Sequence, residues 1–175
     1  YAIGYRLSPG SRIPVGGQSL VNPETMAAEQ GIESALYASD SYEINDRTTL
    51  DLGLRYSMFN YLGPRTVNYY APDLPKSQTT IVASRDFESG QVIKTYHAPE
   101  FRLSMRYALS PNSSVKAGYN SLRQYIHMLS NTTAITPTDT WKLSDAHIKP
   151  QFGDQASMGF YQNFGSNTIE TSVEL

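Results

Sequence analysis

The chain has 175 residues, no cysteine and a formal net charge of −2 at pH 7. This length predicts one domain or a piece of a larger one, and the lack of cysteine excludes disulfides and thiolate chemistry. The near-neutral charge gives no reason to expect nucleic acid or an anionic surface as partner, and no apolar run approaches the roughly 20 residues that a membrane-spanning helix needs.

The first part of the chain is punctuated by proline and glycine, which predicts a long outer loop over residues 1–31. Within it, Asn22 and Pro23 have the residue types of a helix N-cap and a first helical position, and Gly31 has the type that ends a helix. We therefore predict one short helix over residues 23–30. The opening residues do not resemble a signal peptide, and we expect a processed or excised piece of a longer protein.

Two strands are predicted next, over residues 32–44 and 48–59, with a turn at 45–47 between them. The second strand alternates strictly, and successive side chains of a strand point to opposite faces. Periodicity alone does not decide whether its apolar face meets a protein core or lipid. The apolar face carries Leu50, Leu52, Leu54, Tyr56 and Met58, and the polar face carries Asp51, Gly53, Arg55 and Ser57.

The remaining sequence predicts four more strands and two long loops. The first long loop contains two β-prone segments, residues 79–84 and 91–96, which we expect to form a hairpin. The predicted strands are 100–109, 114–128, 155–162 and 168–175, and the long loops are 63–97 and 130–153.

The connections between the predicted strands are sorted by length. Short turns at 45–47, 110–113 and 163–167 alternate with the long loops. Outer-membrane barrels have strands of about 9–11 residues, short turns on one side and long loops on the other, whereas loops beyond about 15 residues are uncommon in compact soluble domains. We therefore predict an all-β, antiparallel, up-and-down meander that is part of a transmembrane β-barrel with long outer loops.

A resemblance to a known family accompanies this pattern, beginning with the stretch ALYASDSYEINDRTTLDLGLRYSMF. It resembles the barrel region of TonB-dependent outer-membrane receptors, in which a strand with Tyr and Asp is followed by a turn and a Gly-x-Arg-Tyr strand. Two later runs are similar to barrel segments of such receptors from the Bacteroidetes lineage: APEFRLSMRYALSPNSSVKAGYNSLRQYIHMLSNT and PTDTWKLSDAHIKPQFGDQASMGFYQNF. The resemblance covers about residues 20–175, and nothing in the chain matches the family's plug domain.

The resemblance implies a fragment of the barrel of a TonB-dependent receptor in the bacterial outer membrane, with outer-membrane lipid around it. In the intact receptor the outer loops would catch an unknown small or oligomeric ligand, and the TonB system would pull the plug domain. No enzyme activity and no cofactor are implied. We expect the isolated fragment to expose its lipid face and sheet edges, and therefore to self-associate.

Two other interpretations use the same alternation. A soluble β-sandwich that binds a ligand or mediates adhesion would pack the apolar faces between two sheets. A passive porin-type barrel would share the membrane and the strand pattern without energised uptake.

The candidate site residues lie on the polar strand faces and in the long loops. On the barrel interpretation the polar faces line a lumen, whereas in an ordinary sheet they would be solvated. Aromatic and basic residues in the long loops either contact ligand or pack their own loop. The three histidines lack the spacing of a metal site, and no catalytic motif is present. The lumen candidates are Asp51, Arg55, Arg102, Arg106, Lys116, Glu170 and Glu174, and the loop candidates are Tyr69, Tyr70, Arg85 and Trp141.

Overall fold

The structure, a computed structural model, describes residues 1–12, 24–129, 140–165 and 168–175. Strands dominate these residues, and a 3-10 helix, Gln78–Thr80, is also present. No helix among them is long and apolar enough to cross a membrane. The strands are β1 (Ala2–Leu7), β2 (Gly10–Arg12), β3 (Glu24–Met26), β4 (Glu29–Asn45), β5 (Thr48–Leu62), β6 (Arg65–Tyr70), β7 (Ile81–Phe87), β8 (Val92–Ser110), β9 (Ser113–Gln124), β10 (Ile126–Leu129), β11 (Thr140–Leu143), β12 (Gln151–Phe164) and β13 (Ile169–Glu174).

The largest sheet has seven strands in the order β1-β4-β5-β8-β9-β12-β13. The pairings β1–β4, β8–β9, β9–β12 and β12–β13 are antiparallel. The hairpins β2–β3, β6–β7 and β10–β11 form separate two-stranded sheets. Each strand of the large sheet therefore lies beside its neighbours in chain order once the hairpins are set aside, which confirms the predicted all-β antiparallel meander of a partial β-barrel.

The chain divides into two units, which are described separately. The first unit consists of Tyr1–Ser34, Met58–Tyr96 and Tyr125–Pro150. It holds the three hairpins and a small aromatic core. The second unit consists of Ala35–Ser57, His97–Gln124 and Gln151–Leu175, and it holds the paired long strands and their short turns.

The outer loop predicted over residues 1–31, with its short helix over 23–30, is wrong for the part that the structure describes. Strands β1 and β2 lie within it, and β1 pairs with β4 in the large sheet. Glu24–Met26 is strand β3, which pairs with β2, and β4 begins at Glu29. A helix of two turns is only marginally stable without packing, and the pairing partner Gly10–Arg12 lies too far along the chain to leave a local signal. Pro23 lies outside the described residues.

The hairpin predicted within loop 63–97 has a different partner. Strand β7 pairs with β6, with Arg65 opposite Phe87, while residues 92–96 form the start of β8. Pro64 and Pro72 suggested irregular chain, but they lie just outside β6, where a proline interrupts no ladder.

The strand predicted over residues 114–128 is interrupted at Tyr125. Strand β9 ends at Gln124, and the carbonyl of Tyr125 accepts a hydrogen bond of 2.8 Å from the amide of Ser144 instead of continuing the ladder. Strand β10 then pairs with β11, inside the span predicted as loop 130–153. Residues 130–139 of that loop lie outside the described residues. The strand predicted over 155–162 is longer in the structure, Gln151–Phe164.

The core of the first unit is built from rings. Phe59 and Tyr125 stack with their ring centroids 4.9 Å apart, and Tyr5 meets Phe59 edge-on at 6.1 Å. Tyr61 and Leu143 complete the buried cluster. Offset and edge-to-face ring pairs add about 0.5–1.5 kcal/mol each beyond the area that they bury.

Gly31 is required for this packing, because a Cβ atom there would lie 2.6 Å from the ring of Phe59. We predict that Gly31→Ala destabilises the first unit by about 1–3 kcal/mol, as overpacked cores do. The measurement is hydrogen exchange of the β1–β4 amides in the intact receptor. Gly4→Ala is the matched control, since a Cβ at Gly4 has no neighbour within 4 Å. Equal exchange in the two variants would contradict this account of Gly31.

Candidate functional site

The second unit presents its charged candidates on one face of the sheet. Arg106 lies opposite Lys116, and Gly159 lies opposite both Lys116 and Glu174. Residues directly opposite each other in antiparallel strands share a face, and Glu170 shares it with Glu174 because the two are four residues apart on β13. We call this the polar face. It carries Asp51, Arg55, Arg102, Arg106, Lys116, Glu170 and Glu174.

Asp51 is joined to the polar face by two serines. It accepts hydrogen bonds from Ser41 Oγ at 2.6 Å and from Ser104 Oγ at 2.7 Å. Ser104 lies two residues from Arg102 and two from Arg106 along β8, so the three side chains share a face. The hydrogen bond from Ser104 therefore places Asp51 on the same face as both arginines. The two hydroxyls satisfy the carboxylate without an ion pair.

Arg55 is neutralised by a residue that the sequence did not single out. Its Nη1 lies 2.6 Å from Glu100 Oε2, and Ser57 Oγ donates to Glu100 Oε1 at 2.5 Å. Glu100 is 6% exposed and Ser57 is fully buried. A buried carboxylate needs such partners, and the pair therefore fixes Arg55 as a structural element of β5 and β8.

The cations farther along the polar face are not neutralised in the same way. Arg106 and Lys116 are directly opposed, an arrangement that is unfavourable between like charges. Lys116 Nζ lies 4.3 Å from the ring centroid of Tyr161, a cation–π contact. Within the described part of the chain, Arg102 and Arg106 form no ion pair. This part of the polar face therefore presents cations that form no ion pair within the described residues.

The opposite face of the second unit is apolar and exposed. Strands β5 and β8 each contribute an alternating run of large apolar side chains that no other element of the described chain covers; Leu54, for example, is 49% exposed. A soluble protein rarely leaves such a contiguous patch uncovered. We call this the apolar face. It includes Leu52, Leu54, Tyr56, Phe101, Leu103, Met105, Tyr107, Met158, Phe160 and Val173.

Two hydrogen-bonded polar pairs also lie on the apolar face. The hydroxyl of Tyr56 lies 2.7 Å from His97 Nδ1, and the hydroxyl of Tyr119 donates to Asp154 Oδ1 at 2.6 Å. Each tyrosine therefore combines an apolar ring with a polar tip that has its own partner. Tyrosines of this kind suit the boundary between hydrocarbon and lipid headgroups.

The first unit contains a buried ion cluster centred on Glu29, which is 5% exposed. Its Oε1 accepts from Arg65 Nη1 at 2.9 Å and also from Lys142 Nζ. Its Oε2 accepts from the amide of Leu143 at 2.9 Å. One carboxylate at the start of β4 therefore ties together the start of β6 and the strand β11.

Asp145 extends this cluster and closes the turn after β11. Its Oδ2 lies 2.8 Å from Lys142 Nζ, and its Oδ1 accepts from the amides of His147 at 2.7 Å and Ile148 at 2.8 Å. Burial acts to raise the pKa of Asp145, but these hydrogen bonds outweigh it and lower the pKa below its ordinary value of 3.8. The carboxylate is therefore held ionised. Burial lowers the pKa of the nearby His127.

The lowered pKa of Asp145 predicts a pH dependence. A carboxyl whose pKa is lower in the folded state stabilises that state above its unfolded pKa of about 3.9, and this contribution disappears as the pH falls through the folded value. We expect the amides of His147 and Ile148 to lose protection from hydrogen exchange, after correction for intrinsic exchange, as the pH falls below the pKa of Asp145 in the folded state. In Asp145→Asn the acid-dependent component should be absent. Acid-dependent loss of the same size in both forms would contradict the assignment.

A cavity of about 480 Å³ lies beside the Glu29 cluster in the first unit. Its walls come from β1, β3, the start of β4, β6 and the β10–β11 hairpin. They combine three cations with one carboxylate and several apolar side chains. The volume lies within the range of about 300–1,000 Å³ that small-molecule sites occupy. Its charged residues are Arg6, Glu29, Arg65 and Lys142.

The four loop candidates occupy two places in the first unit. Trp141 lines the cavity and is 57% exposed. Tyr69, Tyr70 and Arg85 lie on the β6–β7 hairpin, where Tyr70 meets the ring of His147 edge-on at 5.4 Å and the Arg85 guanidinium lies 4.8 Å from the ring centroid of Phe87. The structure therefore brings only Trp141 of the four to the cavity, while Tyr70 and Arg85 pack against their own unit.

Sequence reasoning missed the acidic and basic residues that build the cavity. Glu29 lies in the segment predicted as helix, and its partners Arg65 and Lys142 are 36 and 113 residues away. A local pattern cannot reveal partners at such separations. The one available signal was the aromatic Trp141 beside Lys142 in a long loop.

No group of three or more His, Cys, Asp or Glu residues in the described ranges is placed to hold a metal ion.

Three comparisons with known proteins bear on identity. The family model described as "TonB dependent receptor-like, beta-barrel" matches residues 2–175. Comparisons with curated proteins and with solved structures give no match.

Proposed function

Because the chain belongs to the TonB-dependent receptor-like β-barrel family, we propose that it forms part of the barrel wall of a receptor that takes up its ligand with energy from the TonB system. Proteins of this family are transporters of the bacterial outer membrane and not enzymes. In the intact receptor the family implies a plug domain and an interaction with TonB.

The observation that carries the proposal is the two-faced sheet of the second unit. Its apolar face exposes Leu52 at 43% and Leu54 at 49%, whereas the other side of the same strand carries Asp51 and Arg55 with satisfied hydrogen bonds. Apolar side chains are stable against lipid, but a backbone polar group without a hydrogen bond is not. Only helices and closed barrels pair all their backbone groups within the membrane. A barrel wall turns the apolar face to lipid and the polar face to the lumen.

The lumen proposal assigns different roles to the charges on the polar face. Arg55 and Asp51 are already satisfied within the sheet, so we assign them to the structure of the wall. Arg102, Arg106 and Lys116 lack carboxylate partners in the described residues, so we assign them to contact with the plug or with a passing anionic ligand. The carboxylates Glu170 and Glu174 complete the proposed lumen lining.

Two tyrosine pairs on the apolar face are compatible with lipid as the neighbour of this face. Tyr56 with His97 and Tyr119 with Asp154 are polar groups on a face that is otherwise apolar. Each hydroxyl has a partner within the protein, so neither tyrosine leaves an unsatisfied polar group toward lipid. The excised chain would leave this face without lipid, and we expect it to self-associate through its exposed apolar surface and sheet edges.

Two measurements test the proposal. Cell fractionation should place the intact receptor in the outer membrane, and recovery in the soluble fraction would favour the β-sandwich alternative. Growth should then be compared on media with single iron or carbon sources, with and without the receptor and with and without TonB. We expect one medium on which loss of the receptor slows growth only in cells that have TonB. A growth benefit that persists without TonB would favour the passive porin.

A further inference from the structure

The cavity beside Glu29 is lined by cations and by an exposed indole, a combination that the polar face of the second unit lacks among the described residues. Of its three cations, Arg65 and Lys142 share the carboxylate of Glu29, and Lys142 also pairs with Asp145. Arg6 is exposed and forms no ion pair among the described residues. The cavity therefore holds one cation that no carboxylate of the described residues neutralises.

The apolar part of the cavity is dominated by an exposed indole. Trp141 is 57% exposed, and Leu7 and Met26 line the same space. Lys142, the next residue in β11, is held in place by two carboxylates. A ligand whose anion pairs with Arg6 would meet the flat apolar face of Trp141 in the same cavity. A few charged groups on otherwise apolar walls is the combination that orients ligands in protein sites.

We propose that this cavity binds an acidic saccharide, with a carboxylate of the ligand paired to Arg6 and the apolar CH face of a sugar ring packed on Trp141. A pyranose ring offers one apolar face and several hydroxyls, which suits a cavity with an exposed indole and polar walls. Glu29 is a positioning residue here, because it fixes the side chains of Arg65 and Lys142 and does not itself contact the ligand. The inference rests on the proposed function only in taking the chain as part of a receptor.

The test measures binding of trigalacturonate to the purified intact receptor in detergent micelles by calorimetry. The matched ligand is the same trisaccharide with every carboxyl methyl-esterified. We expect the acid to bind at least about tenfold tighter than the ester, with an affinity that falls as salt rises. Arg6→Gln and Trp141→Ala should each weaken binding of the acid by about tenfold or more, whereas Arg47→Gln in the β4–β5 turn should not.

Each other outcome overturns the proposal. Equal affinity for acid and ester would remove the role of charge, and absence of binding to both would remove the site. Unchanged affinity in Arg6→Gln would place the anion elsewhere, and tighter binding of triglutamate than of trigalacturonate would assign the cavity to an acidic peptide. A receptor that stays in the outer membrane and remains TonB-dependent while failing this test would leave the proposed function intact, so the two failures are distinguishable.

Discussion

Replacing Leu54 by arginine is expected to destabilise the folded receptor in a lipid bilayer by about 2–4 kcal/mol, which is the cost of a cation on the lipid face near the bilayer centre. Leu54 is the middle residue of the alternating run from Leu50 to Met58 and is 49% exposed on the apolar face. In water the same substitution would remove an exposed apolar side chain at little cost. The large loss therefore depends on lipid being the neighbour of this face.

The measurement is the folded fraction of the intact receptor in vesicles across a urea series, scored by the gel mobility of folded against heat-unfolded protein. Leu74→Arg is the matched control, because Leu74 is 56% exposed but lies outside the strands. We expect the urea midpoint to fall for Leu54→Arg and to stay unchanged for Leu74→Arg. Equal midpoints for the two variants would contradict a lipid-facing Leu54.

The second large effect is expected at Glu29. Glu29→Gln keeps an acceptor for the amide of Leu143 but leaves Arg65 and Lys142 without their shared carboxylate. Breaking a buried ion pair costs about 3–5 kcal/mol. Because the side chains of Arg65 and Lys142 remain 30% and 19% exposed, water compensates part of the loss, and we expect about 2–3 kcal/mol.

Hydrogen exchange of the β10–β11 hairpin measures this loss directly. If these amides exchange through local opening, a loss of about 2–3 kcal/mol in the opening free energy corresponds to roughly 30- to 150-fold faster exchange. Glu88→Gln is the matched control, since Glu88 is exposed at the turn before β8. If the hairpin kept its full protection in Glu29→Gln, the cluster would not be what holds β11 in place.

The alternation of side chains predicted the two faces of the second unit well. A period of two residues is a local property, so Leu54 and Arg55 could be assigned to opposite faces without knowledge of any other strand. The resemblance carried by the Gly-x-Arg-Tyr strand is confirmed by the family match over residues 2–175. That the polar face lines a lumen stays a prediction.

The first unit was predicted less well, because its structure depends on contacts between distant residues. Strand β6 was predicted as loop because Pro64 and Pro72 flank it. Strand β3 was predicted as part of a helix because the sequence around it does not reveal its pairing with β2. The Glu29–Lys142 pair spans 113 residues. Arg55 illustrates the same limit in the second unit, since its partner Glu100 is 45 residues away.

The most direct test of the lipid-facing assignment compares adjacent positions on one strand. The chain has no cysteine, so single cysteines at Arg102, Leu103, Arg106 and Tyr107 can carry a fluorescent label in an intact receptor freed of cysteines elsewhere. The measurement is quenching of each label by brominated lipid. The account predicts strong quenching at Leu103 and Tyr107 and little at Arg102 and Arg106. Equal quenching at neighbouring positions, or stronger quenching at the two arginine positions, would contradict it.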